Sequence, residues 1–436
     1  MKIGSFFPNR PQSTFYAMAA DDCSLHFDLD NLTEKQWADH VANLELTGML
    51  QVALIAISKP DDYVGLYEEF QKEEWSQTLR RYCAFFENCG IDVIPPAHFI
   101  FGPKMTFYRD IADRLPNTEL LSLYMVSGSN SVLHQDEAAL AISQNVNSKF
   151  HFAQNAPEFG IPTPKTLITS KGGLGSEVVT KFYNENADSA GEIMMKILGL
   201  AGARNVTAIS SVRAAQNYVS EYADDMPVLL QRKLDDAHYT EMTVDLFVSN
   251  DEIAISNIRQ ILFADGLWVG NFVSKRHTLS DAQRQQLIRV GEYARAHGYS
   301  SEEGSNCGID YFVGPNQEVT VTEINARWTG GLFPTQILER INHNNQDAVM
   351  WIDLAAVDQL PKFLDFIEAH LPSKTESNFT ALSFGFSPFP QDMNGHPHIY
   401  VWMVVLGDFS AFVEAKRRFL GMHALPTSEL IRIPKI

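Results

Sequence analysis

The chain has 436 residues, about 49 kDa, with 34 Lys plus Arg against 53 Asp plus Glu, a formal charge of −19. With 45% apolar and 20% charged residues it is a globular composition with room for two or three domains, and it excludes extensive disorder. The acidic balance and the absence of any run of four Lys/Arg argue against a nucleic-acid partner, since a phosphate backbone demands a basic face.

In chain order, the N-terminal Met1 to Pro8 breaks at Pro8 before a signal-peptide core forms. Val52 to Ile57 is a solid apolar run that reads as a buried strand, far short of a membrane span of ~18 residues. Asp62 to Asn88 is periodic and charged and reads as a helix. Ile91 to Ile94 and Leu120 to Val126 read as strands. This alternation predicts an α/β layer with a largely parallel sheet over residues 1–146. Ser148-Lys149 opens a helix that stops at Gly160, followed by Pro162 and Pro164. Thr166 to Thr169, Ile193 to Ile197, Val228 to Leu234 and Tyr239 to Val248 follow as strands, with loops at Gly172 to Gly175 and Gly199 to Arg204. Asp281 to His297 is an amphipathic helix, and Asp310 to Val313 with Glu318 to Ile324 forms a hairpin around Gly314-Pro315-Asn316. Residues 346–436 read as a small α+β unit: Trp351 to His370 mostly helical, two strands joined at Asn394-Gly395, and a last helix at Phe409 to Leu420.

Cys23, Cys83, Cys89 and Cys307 form no CxxC pair, and no His pair has zinc-site spacing; free thiols in a reducing, cytoplasmic compartment are expected. No Walker A loop, GxGxxG, HExxH or GxSxG is present. The chemistry concentrates instead at Asp310 and the run Glu323-Ile324-Asn325-Ala326-Arg327-Trp328-Thr329-Gly330-Gly331. Alternation puts Glu323 and Asn325 on one strand face, and the hairpin brings Asp310 near both. Two carboxylates and an amide oxygen suit Mg²⁺ with bound phosphates. Arg327 falls on the same face, in reach of a transferring phosphoryl group or an oxyanion, and Gly330-Gly331 leaves backbone N–H groups open to an anion. Taken one at a time, each residue fits a polar sheet face with cross-strand partners; taken together the pattern points to a metal–nucleotide site.

On these residues the chain resembles the ATP-grasp superfamily, in which an acidic hairpin is followed by E-x-N-x-R. The resemblance extends upstream through Lys149 with Gly160-Ile161-Pro162-Thr163-Pro164, Met194-Met195-Lys196 before a glycine loop, the linker Leu229 to Leu234, and Glu241, so that it covers residues 147–340. Ala326 stands where Pro is common, Ser148 where Asp is common and Gln231 where Glu is usual, and the loop holds only two glycines. The resemblance implies an ATP-grasp core at 147–345 with a mobile lid near 190–235, between an N-terminal pre-ATP-grasp domain and a C-terminal domain. It implies that Lys149 and Lys196 contact ATP phosphates. Gln231, Arg232 and Leu234 would hold adenine, Glu241 ribose, and Asp310, Glu323 and Asn325 the metal, as two Mg²⁺ ions or Mn²⁺. Arg327 would act on the reacting groups. Arg259 and Arg276, with Asn271 and Lys275, and the Gly330-Gly331 backbone are candidates for substrate contact.

The layout, with Asn147 to Phe150 and Ala156 to Gly160, also resembles peptide ligases of the pheganomycin type. This resemblance implies an ATP-dependent carboxylate–amine ligase acting on amino acids or peptides, and the superfamily a homodimer; charge, apolar runs and cysteine pattern themselves predict a cytoplasmic protein with no membrane or nucleic-acid partner. A kinase, an acid–thiol ligase, a carboxylase and a nucleotide-binding protein without turnover are the alternatives.

Overall fold

A computed structural model describes residues 2–4, 12–198, 206–235, 237–264, 267–302, 304–341, 346–374, 378–393, 395–421 and 426–433. The first 146 residues build a five-stranded parallel sheet in the order Lys2–Gly4, Leu120–Leu123, Thr14–Ala17, Tyr63–Tyr67, Phe99–Gly102. All four residues of Thr14–Ala17 are buried, as expected of an inner parallel strand covered on both faces.

Three local readings are corrected by the structure. Val52 to Ile57 is the last part of the helix Glu34–Ile57, which starts at a Thr33/Gln36 capping box. Its end is enclosed on every side, so no polar residue interrupts the run and the helical period disappears. By length and composition this helix is apolar enough to cross a membrane, but 67% of its apolar window is buried inside the fold. The segment from Asp62 divides into the strand Tyr63–Tyr67 and the helix Glu73–Asn88. Ile91 to Ile94 forms no strand; Ile91 and Ile94 bury their side chains in an extended connection that stops at Pro95.

Residues 166–232 form a four-stranded antiparallel sheet in the order Thr166–Ser170, Pro227–Arg232, Ile193–Lys196, Val206–Ile209, backed by the helices Glu177–Asn186 and Val212–Tyr218 over a separate small core. The larger sheet is antiparallel throughout and runs Val319–Asn325, Ser305–Val313, Thr240–Val248, Ile253–Ala264, Leu267–Val273, Ala348–Ala356, His396–Gly407, Phe379–Phe386, with Gln391–Met393 paired to His396–Gly407. The helix Asp281–Ala296 packs Leu287, Val290 and Tyr293 against one end of it.

Strands beyond residue 346 thus extend the sheet that carries the Asp310 hairpin, and one apolar core joins them to the N-terminal layer. Trp351 begins no helix. It lies in the strand Ala348–Ala356, whose residues are buried too evenly to show alternation, and the helix starts later, at Leu360–Ala369, with Pro361 in its first turn. The junction with Leu267–Val273 is close: a Cβ on Gly270 would sit 1.8 Å from the Met350 carbonyl oxygen, so only glycine permits this pairing.

Candidate active site

The small sheet, the large sheet and the N-terminal layer enclose a cavity of about 1310 Å³. The Ser305–Val313/Val319–Asn325 hairpin forms one wall, as expected from the sequence. Asp310 lies directly opposite Glu323, and Asn325 opposite Gly308, with a bulge after Asp310. The Asn325 Nδ2 donates to Asp310 Oδ2 at 3.0 Å, which leaves the Asn325 carbonyl oxygen as its acceptor face. Burial first, and then the charge of Glu323, push Asp310 up to about 6. Burial alone would raise Glu323 too, but Lys149, Lys196 and Arg327 together hold it below its ordinary value. Lys149 Nζ stands 3.4 Å from Glu323 Oε2.

Two opposed carboxylates and an amide oxygen are hard donors that fit a cation keeping phosphate and water oxygens in its remaining positions. Among the described residues no group of three or more His, Cys, Asp or Glu is arranged around a metal, so bound phosphates would have to complete the shell.

Lys149 opens the helix Lys149–Asn155, capped by Ser148, whose hydroxyl accepts from the His151 N–H. Gly160 terminates the next turn at φ +64°, the left-handed conformation that favours glycine. Lys196 ends the strand Ile193–Lys196, is 5% exposed, and donates to the Thr322 carbonyl at 3.1 Å. Burial draws its pKa down, against the pull of Glu323. Gln231, Arg232 and Leu234 all line the cavity, and Gln231 Nε2 donates to Thr166 Oγ1 at 3.1 Å. Arg232 keeps its side chain exposed, while the neighbouring Lys233 is held by Asp188 and Glu192. Glu241, opposite Phe312 on the adjacent strand, lines the same cavity. The glycine loop at 199–204 lies outside the described residues.

Arg327 lies past the end of its strand, not on it: its N–H turns back to the Asn325 carbonyl at 2.7 Å. Its guanidinium reaches the N-terminal layer. Nε donates to Tyr124 Oη at 2.8 Å and lies 3.6 Å from Asp22 Oδ1, and Nη1 is 3.5 Å from Asn147 Oδ1. Burial opposes its charge, but Tyr124 and Asp22 more than offset this and leave the guanidinium firmly protonated. Tyr124, Asp22 and Asn147 were not singled out as site residues from the sequence. Tyr124 is 203 residues from Arg327 and carries no local motif.

Arg259 also reaches the cavity wall, fully buried, paired to Asp245 at 2.6 Å and donating to Thr329 Oγ1 at 3.3 Å. Gly330 and Gly331 line the cavity beside it. A Cβ on Gly331 would fall 2.2 Å from Arg259 Nε. Arg276 is not brought to the site. It is half exposed and paired with Asp347 at 3.0 Å, outside the cavity lining.

No protein-family model matches the chain, and no curated protein matches it. Solved structures do. Carboxyaminoimidazole ribonucleotide synthase from Aspergillus clavatus, in complex with ATP, superposes at a TM-score of 0.53 with 12% identity, over 85% of this chain and 97% of that one. Biotin carboxylase from Campylobacter jejuni, as its β,γ-ATP complex, gives 0.53 at 10% identity over 96% and 94%. The N5-carboxyaminoimidazole synthetase of Staphylococcus aureus, with ADP, gives 0.51 at 12% identity over 97% and 98%. The chain has the ATP-grasp fold, an α/β architecture carried across nearly its whole length. At such identities the likeness defines the fold; it does not reach the substrate or the pheganomycin-type group.

Proposed function

We infer that the protein is an ATP-dependent ligase that activates a carboxylate as an acyl phosphate and joins it to an amine, releasing ADP and phosphate. The observation that carries this is convergence: Asp310, Glu323, Asn325, Lys196 and Arg327 line one cavity, with Lys149 at Glu323, although they come from separate segments. The Gln231–Leu234 linker and Glu241 line the cavity where a nucleoside would extend from that wall. Structural neighbours crystallised with ATP and with ADP support the nucleotide.

In this reading Lys149 and Lys196 neutralise ATP phosphate oxygens, and Asp310, Glu323 and Asn325 would hold Mg²⁺, which would supply charge neutralisation on the phosphates. A substrate carboxylate oxygen attacks the γ-phosphorus in line, the bond to the ADP oxygen breaks, and Arg327 balances charge on the equatorial oxygens. The amine nitrogen then attacks the acyl carbon, the amide forms as the bond from the acyl carbon to the phosphate oxygen breaks, and the nitrogen's proton passes to the departing phosphate. Arg327, fixed by Tyr124 and Asp22, faces both oxyanions without moving. Closure of residues 190–235 over the site would keep water from the acyl phosphate. No nucleophile on the protein is required. The thiols are unsuited to the role in any case, since burial pushes Cys23 and Cys83 up to about 11 and Cys89 up to about 12. All four cysteines are free.

The test is ADP release from Mg²⁺-ATP with pooled carboxylates and amines, then product mass. ADP with a new amide mass supports the ligase. A stable phosphorylated acid would mark a kinase, and a thioester or carboxylated product the other reaction classes of the fold.

A further inference from the structure

The large sheet presents one face to the cavity, and strand register fixes what that face displays. Asp310 pairs with Thr243, Thr243 with Arg259, Ile261 with Asn271, Asn271 with Met350, Ile352 with Trp402 and Leu354 with Tyr400. Read across the strands, the face therefore passes from carboxylates, through a buried cation and an amide, to aliphatic and aromatic side chains. Its middle holds two donors without acceptors. Arg259 Nε and Asn271 Nδ2 have no hydrogen-bond partner, though Arg259 is fully buried and Asn271 is 2% exposed. Both residues belong to the cavity wall, and both lone groups are donors, so a ligand that satisfies them brings acceptor oxygens. Beyond them the cavity is walled by Leu46, Leu50, Trp268, Ile352, Tyr400 and Phe333. All but Phe333 are left partly exposed inside the cavity, where an apolar group would cover them.

Resting on the ligase reading, we propose that one of the two substrates is an amino acid or short peptide with a large aromatic or branched aliphatic side chain. Its carboxylate or carbonyl oxygens lie at Arg259 and Asn271, and its side chain lies among Leu46, Leu50, Trp268, Ile352 and Tyr400. Asp245 neutralises Arg259, so the subsite reads hydrogen-bond acceptors more than net charge, and a peptide carbonyl suits it as well as a free carboxylate. The apolar wall is drawn from the N-terminal layer and from both halves of the large sheet. Selectivity for the side chain is therefore a property of the assembled chain, not of the nucleotide-binding core alone.

The experiment is direct binding to the full-length protein, by tryptophan fluorescence and thermal shift with and without Mg²⁺-ATP. The probes are L-phenylalanine, L-leucine, Gly-L-Phe and Gly-L-Leu against L-alanine, L-glutamate, Gly-Gly and Gly-L-Glu. The expected result is at least tenfold tighter binding of a phenylalanine or leucine compound than of its alanine, glycine or glutamate counterpart. The preference should be lost in Ile352→Glu, and affinity should fall across the whole panel in Asn271→Leu. A wild-type panel without preference, a preference for glutamate, or no binding of any probe overturns the proposal, as does an Ile352→Glu variant that folds, binds ATP and keeps the preference. ADP release and amide mass on the same panel separate the two readings. Selective binding without ADP release removes the ligase and keeps the subsite; amide formation without side-chain preference does the reverse.

Discussion

Glu323 faces three cations: Lys149 at 3.4 Å, and Lys196 and Arg327 acting on its carboxyl through space. Replacing it removes a proposed metal ligand and leaves those cations mutually repelling. Glu323→Ala should abolish turnover, by 10³-fold or more on the order expected for loss of a group that stabilises transition-state charge, with the fold intact by circular dichroism. Wild-type-like turnover would remove Glu323 from the metal. For Arg327→Ala the split between constants is informative: on the proposed mechanism kcat should fall far more than ATP affinity weakens, because Tyr124 and Asp22 fix the guanidinium at the cavity. An effect confined to ATP affinity would place Arg327 on the nucleotide instead. A third residue acts away from catalysis. Asp21 is fully buried and accepts from Tyr108, Ser127, Ser129 and Asn130. Burial, partly offset by these donors, raises it from 3.8 to about 7. The folded state thus holds a proton that the unfolded state has lost between these values, so this group's contribution to stability falls as pH rises from about 4 to 7. Relative to wild type, Asp21→Asn should gain up to about 4 kcal/mol between pH 4 and pH 8, read from denaturant midpoints at the two pH values. A pH-independent gap would show that Asp21 is ionised throughout.

At the scale of elements, the hairpin that carries the proposed metal ligands was legible because its partners are close in sequence: Asp310 and Glu323 are 13 positions apart and meet across one turn. Lys149 was legible for a related reason, since the cap Ser148 and the stop at Gly160 are local signals. What stayed hidden is what tertiary contact decides. Val52 to Ile57 and the strand Ala348–Ala356 are so evenly buried that neither the helical nor the strand period survives in the sequence. Tyr124 and Asp22 meet Arg327 only because the N-terminal sheet docks on the large one. Arg276 and Arg259 are alike in sequence as basic residues on or beside neighbouring strands. Arg259 lies within its strand and faces the cavity, whereas Arg276 lies in the turn after Leu267–Val273 and pairs with Asp347 at the surface. The joint at Gly270 gives an element-scale prediction. Gly270→Ala drives a methyl into the Met350 carbonyl and should cost about 3 kcal/mol or more, seen as a lower melting temperature or as insoluble protein. Unchanged stability would mean that the two strands are not joined by this pairing.

Across the whole molecule, the carboxylates Asp310 and Glu323 and the apolar side of the cavity belong to one sheet, and the N-terminal layer borders both. This arrangement explains why the strands beyond residue 346 are not an appendage: Ile352, Leu354, Tyr400 and Trp402 lie on the face that also carries Asp310. It also brings one side chain, Arg327, from the end of the hairpin into contact with Tyr124 and Asp22 of the N-terminal layer at the cavity. The fold supplies the nucleotide half of this account, and the chain's own cavity wall supplies the rest. The measurement that tests it most directly is ADP release from Mg²⁺-ATP by the full-length protein, with paired amino acids and dipeptides and mass analysis of each product. The account predicts ADP in amounts equal to a new amide, only when a carboxylate and an amine are both present. ADP release with no amide in any pool, or no ADP from any pool by a protein that binds ATP, would contradict it.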